Sequence, residues 1–129
     1  MLHNLKPADR ERLAGAGLEG FFAIAQEWGL NNRQARQLLG DPPESTFFKM
    51  KRGQVKKLPK DTLERISYLL GIYKNLHVLL PNSRRANEWI HRPNDAPLFG
   101  GEPALDKLLK GRVVDLYEVR RYLDGERGW

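Results

Sequence analysis

Apolar residues along this chain recur at three- and four-residue steps, and no alternating stretch is long enough for a sheet, so the pattern predicts an all-α protein. A short helix is expected after Pro7, which suits a first helical position. A second is expected over residues 18–28, with Phe21, Phe22, Ile24, Ala25 and Trp28 as its apolar face and Gly29 as its stop. Asn31 or Asn32 is placed to cap the next helix, over 33–39, which Gly40 ends. Asp41-Pro42-Pro43 reads as a turn, because a residue preceding proline is pushed out of the helical region. Residues 44–52 form another helix, closed by Gly53. The longest helix is predicted over 60–80, where Leu63, Ile66, Leu69, Leu70, Tyr73, Leu76, Leu79 and Leu80 keep helical spacing. Asp61 and Glu64 stand at capping-box spacing at its start. Gly71 sits inside this helix at a cost of about 1 kcal/mol against Ala, which points to close approach by a neighbouring helix. Pro81 terminates the helix, and Ser83 is placed to cap a short one carrying Ala86, Trp89 and Ile90. Residues 92–101 are turn-rich and expected to form an ordered loop, followed by short helices over 103–110 and 115–124.

A chain of 129 residues fits one domain, or two small subdomains sharing a core. At 40% hydrophobic and 29% charged residues it has the balance of a folded protein rather than a disordered one. No apolar run approaches the ~20 residues that span a bilayer, the first residues lack the apolar core of a signal peptide, and there is no cysteine for disulfides or thiolate metal sites. A cytoplasmic protein without membrane contact is the expectation. Charge changes the picture more. The net +6 is concentrated: residues 31–60 alone carry +6, while 1–30 carry −1 and 61–129 carry +1. A charge excess confined to one helical pair is the electrostatic footprint of a DNA-binding surface.

The pair itself reads as a helix-turn-helix. A helix that enters the major groove is short, flanked by phosphate contacts and apolar only on its inner face. In the second helix Phe47 and Met50 face the core, and Ser45, Thr46 and Lys49 face outward, with Ser45 and Thr46 as the base readers. Lys51, Arg52, Lys56 and Lys57 extend a basic strip, and Arg33, Gln34 and Arg36 of the first helix are placed to clamp the phosphate backbone. The turn is longer than the compact form, which leaves the register open by a residue. A solvated basic face on a helical bundle is the alternative explanation. Catalysis and metal binding find little support: His3, His77 and His91 lack metal-ligand spacing, and Glu88-x-x-His91 is half of the double motif that carboxylate-bridged di-iron sites need. Tyr68, Tyr73, Tyr117 and Tyr122 fall at helical spacings and are expected in the core or an interface.

The second half carries an ordered set of motifs: LPKDTLERISYLLGIYKNLHVLLP at 58–81, WIHRPNDAPLFGGEPALDKLLKG at 89–111 and VRRYLDGERG at 119–128. With them the chain, over about residues 20–129, resembles the Xre/MbcA/ParS-type antitoxins. The resemblance implies an N-terminal Xre-like helix-turn-helix bundle, which binds operator DNA, followed by a small helical toxin-binding domain. It implies a type II antitoxin that catalyses nothing, uses no cofactor and represses its own operon. The cognate toxins of such proteins carry a RES domain, resemble ADP-ribosyltransferases in fold and consume NAD. On this reading residues 1–81 serve DNA binding and homodimerisation, and residues 82–129 serve toxin binding. Trp, Tyr and Arg dominate interface hot spots, so the expected toxin-contacting set is Arg120, Arg121, Tyr122, Asp124, Glu126, Arg127 and Trp129, with the last turn and tail covering the toxin's NAD cleft. A stand-alone helix-turn-helix repressor without a toxin is the alternative.

Overall fold

Pro7 opens one continuous helix, α1 (Pro7–Glu27), where the sequence pattern suggested two. The computed structural model describes residues 6–128, so the expectation for Trp129 lies outside the described residues. Ala14, Leu18, Phe21 and Ala25 continue a single buried stripe through the expected break. Gly20 is kept in that helix by packing, since a Cβ there would stand 3.2 Å from Leu70 Cδ2. The first two turns of α1 bury only Ala14.

Among the described residues there are seven α-helices and no strand. α2 (Asn32–Leu38) is capped by Asn31, not Asn32. The Asn31 side chain accepts from the Gln34 N–H at 2.8 Å and the Gln34 side chain accepts from the Asn31 N–H at 3.0 Å, a reciprocal capping box. α3 (Glu44–Lys51) follows a turn in which Gly40 (φ 91°) and Asp41 (φ 58°) both take the left-handed conformation. The chain then runs extended to α4 (Lys60–Leu79), with Val55 and Leu58 packed against the core. The expected Asp61–Glu64 capping box does not form: Asp61 accepts instead from Arg65 Nε at 2.8 Å, one turn along the helix.

α5 (Ser83–Glu88) is capped by Asn82 rather than Ser83, because the Asn82 side-chain Oδ1 accepts from the Arg85 N–H at 3.1 Å. A short 3₁₀ turn (Trp89–His91) leads into a loop that is hydrogen-bonded throughout. Asn94 N–H donates to Glu102 O, Gly101 N–H donates to Asn94 O, and Pro93 and Pro103 form an isolated bridge. The last two helices are α6 (Ala104–Leu108) and α7 (Val113–Glu126), the first shorter and the second longer than the pattern suggested.

α4 is the spine, with α1 along one side and α7 along the other. Its Ile66, Leu69, Ile72 and Leu76 are almost fully sealed, and they join Phe21, Leu38 and Phe47 on the N-terminal side to Leu116, Val119 and Leu123 on the C-terminal side in one core. The close approach expected at Gly71 is present. The Arg120 guanidinium of α7 lies over it, in space that a Cβ would occupy.

Candidate functional site

The basic surface is built on α2, α3 and the extended segment after them. Phe47 and Met50 point into the core and fix the roll of α3. That roll leaves Ser45, Lys49 and Arg52 exposed at steps of four and three, one stripe along the outer face. Thr46 is half-buried at the edge of the stripe. Past Gly53, Val55 and Leu58 tuck inward, and Lys56 and Lys57 stand exposed between them.

The remaining residues of the expected DNA set do local work. Arg36 is half-buried, and its Nε donates to the Pro42 carbonyl at 2.6 Å, with Asp41 at 3.4 Å, so it holds the turn. Gln34 belongs to the capping box of α2. Lys51 donates to Asn32 Oδ1 at 2.7 Å and ties the end of α3 to the start of α2. Arg33 is exposed in the first turn of α2. Five residues, 39–43, separate α2 from α3, longer than the usual three or four.

The C-terminal residues fall into two groups. Arg120, Asp124 and Arg127 lie on the side of α7 that meets α4. Asn75 of α4 is 2% exposed, donates from Nδ2 to Asp124 Oδ1 at 2.8 Å and accepts from Arg127 Nη1 at 2.7 Å. Arg120 Nε lies 3.9 Å from Asp124 Oδ2 above Gly71. The other group faces outward or into an aromatic cluster. Arg121 is exposed and donates to the Tyr117 hydroxyl at 3.3 Å, and Glu126 is exposed. Tyr122 is wedged edge-on against Phe99 and stacks at 6.5 Å on Trp89. Burial, then a hydrogen bond to Glu126, raises the Tyr122 phenol above its ordinary range.

Asn75 was not singled out in the sequence, although a polar residue on the core stripe of a helix is a readable signal that a partner waits inside. Trp89, an apolar position in the helical pattern, belongs to the aromatic cluster with Phe99 and Tyr122. Of the four tyrosines, Tyr68, Tyr73 and Tyr122 are half-buried against the core, and Tyr117 is exposed. Tyr68 packs edge-on against Tyr117, and the Tyr73 hydroxyl donates to Glu27 Oε2 at 2.5 Å. That bond to a carboxylate pushes the Tyr73 phenol up to about 12. The Glu88-x-x-His91 pair diverges: Glu88 accepts from Arg92, and His91 Nε2 contacts the Trp28 carbonyl at 2.7 Å. Among the described residues no three His, Asp or Glu side chains are grouped to hold a metal ion, and no helix is long and apolar enough to cross a membrane.

Two family matches together cover most of the chain. Residues 7–71 match the antitoxin Xre-like helix-turn-helix domain. Residues 75–128 match the antitoxin Xre/MbcA/ParS C-terminal toxin-binding domain. The two ranges are separated by residues 72–74, within α4. The chain is also 48% identical over 122 residues to the uncharacterized protein y4oB of Sinorhizobium fredii (strain NBRC 101917 / NGR234), covering 95% of this chain and 92% of that protein. No solved structure matches it.

Proposed function

The chain belongs to the Xre/MbcA/ParS-type antitoxins, with a helix-turn-helix domain followed by a toxin-binding domain, and from that premise we propose that it neutralises an NAD-consuming RES-domain toxin and represses its own operon. The observation that carries the reading is the presence of both matched domains along one continuous helix, α4. A basic recognition helix, α3, packs on α1, which lines one flank of α4, and α5 and α7 of the toxin-binding half pack on α4 as well. We assign DNA binding and dimerisation to residues 1–81 and toxin contact to residues 82–129, with α4 as their common wall and its last turn, inside the range matched as toxin-binding, shared with the toxin-contact half.

On the DNA side, Lys49, Arg52, Lys56 and Lys57 supply salt-dependent affinity for phosphates, and Ser45 is the exposed base reader at the start of α3. Thr46 assists from the edge. Gln34, Arg36 and Lys51 act indirectly by holding the motif's shape. A homodimer on palindromic half-sites about one DNA turn apart (~34 Å) is the usual geometry for such domains. Most apolar residues of α4 are already covered within one copy, and the large exposed apolar side chains left for a second copy are Leu13, Leu70, Val78, Val114 and Tyr117 among the described residues. On the toxin side, Arg121, Tyr122 and Glu126 present themselves at the end of α7, and Asp124 and Arg127 hold that end against α4 through Asn75, with Arg120 lying over Gly71. The tail, Trp129 included, covers the toxin's NAD cleft.

Co-expression with the product of the adjacent gene tests this. The neighbour alone should arrest growth and deplete cellular NAD, and this chain should restore both and co-purify with it. Absence of toxicity and of a complex favours the stand-alone repressor instead. Lys49→Ala and Arg52→Ala should each weaken operator binding at ~150 mM salt, near physiological ionic strength. Unchanged affinity in both would remove α3 as the DNA-reading element.

A further inference from the structure

The end of α4 and the end of α7 enclose an open groove of about 310 Å³. Leu76, Leu79 and Leu80 form its floor and one wall, and Trp89, Tyr122 and Leu123 form the other. Leu76 and Leu123 are sealed, but Leu79, Leu80, Trp89 and Tyr122 are left half-covered. Large half-covered apolar side chains around a sealed base are the anatomy of a binding pocket rather than of a finished core. At the rim stands Glu126, the one charged group in the lining, exposed and one helical turn from Tyr122.

Apolar walls, two aromatic rings and a single carboxylate specify a chemistry. A basic side chain can lay its aliphatic stem on the leucines and set its cationic head against a ring face and the carboxylate. The groove exceeds what one such side chain fills, leaving room for a neighbouring large apolar residue. Every residue in the lining falls within the range matched as toxin-binding. We propose that the groove is a docking pocket for the toxin, receiving an arginine or lysine flanked by a large apolar residue. A second copy of this chain is the weaker occupant, because its basic excess lies in residues 31–60 and is engaged with DNA in the reading above. The proposal rests on the antitoxin reading and adds the place and chemistry of the contact.

The test uses the full chain and purified toxin from the adjacent gene. Glu126 is exposed, so Glu126→Lys should fold and melt as the unsubstituted chain does. It should weaken toxin binding about tenfold, the scale of a hot-spot loss, with the deficit growing as salt is lowered. A photo-reactive benzoylphenylalanine in place of Leu80 should cross-link to a toxin peptide containing Arg or Lys beside a large apolar residue. Failure of the unsubstituted chain to capture the toxin would bring down the antitoxin reading and this proposal with it. Capture of the toxin with Glu126→Lys binding equally well would overturn the groove alone. A cross-link to a toxin peptide without a basic residue, to a second copy, or to the chain's own tail would overturn it as well.

Discussion

Asp115→Ala should unlock the toxin-binding half. Asp115 is the third residue of α7, fully buried, and its carboxylate accepts from Arg112 Nε at 2.7 Å, Arg112 Nη2 at 3.0 Å and Lys107 Nζ at 3.1 Å. It also faces the positive end of the α7 dipole. Removing one member of a buried ion pair costs about 3–5 kcal/mol when the other is stranded. Two features reduce that here. Arg112 is 62% exposed, so water screens its share, and Lys107, 13% exposed, keeps Glu118 at 3.0 Å. The expected loss is about 2–3 kcal/mol, or roughly 6–15 °C in Tm for a domain of this size.

Acid should erase the difference. The Arg112 guanidinium, and then the Lys107 ammonium, hold the Asp115 carboxyl below the usual carboxylate range, against burial, which works the other way. A depressed native value means that the stabilisation is fully present above the unfolded value of about 3.9 and is lost as pH falls through the native one. Urea denaturation followed by circular dichroism at pH 7, and again in steps below pH 4, reads both effects. A loss under 0.5 kcal/mol at neutral pH, or a gap that stays constant into acid, would refute the account of this ion cluster as the fastener between α6 and α7.

Three further substitutions probe the fold. Gly40→Ala should cost about 2 kcal/mol, because its φ of 91° strains any side chain and its Cβ would stand 2.9 Å from Arg65 Nε; a melt within 1 °C of the unsubstituted chain would count against this. Asn31→Ala should cost about 1 kcal/mol by opening the capping box of α2, and operator affinity measured by fluorescence anisotropy should fall with it, whereas an unchanged melt would show the box to be dispensable. Gly71→Ala combines a gain of about 1 kcal/mol in helix propensity with displacement of the flexible Arg120 end, so stability should move by no more than about 1 kcal/mol. A loss beyond 2 kcal/mol in denaturant would mean that Arg120 cannot yield its seat.

The sequence determined the helical character, the turn at Asp41-Pro42-Pro43, the basic strip and the family, because each depends on spacing, composition or local stereochemistry. Phe47 and Met50 at helical spacing were enough to orient α3, and Gly71 in an apolar stripe was enough to announce a close neighbour. The caps were less legible. Asn31 and Asn32, or Asn82 and Ser83, are chemically equivalent candidates, and only the backbone path selects Asn31 and Asn82. The continuity of α1 through three glycines was hidden, since local propensity argues for a break and packing of Gly20 against Leu70 overrides it.

Tertiary structure alone decided what the charged residues do. Arg36, Lys51 and Arg33 look alike in the sequence, yet Arg36 holds a turn, Lys51 ties two helices and Arg33 stands exposed. In the same way, Asp124 and Arg127 turn inward to Asn75, 49 and 52 positions away in the chain, while Glu126 between them faces out over the groove. Helical periodicity is a property of neighbours along the chain. A pocket, a buried ion cluster or an inter-helix hydrogen bond depends on which distant segments the core brings together, and no local rule carries that information.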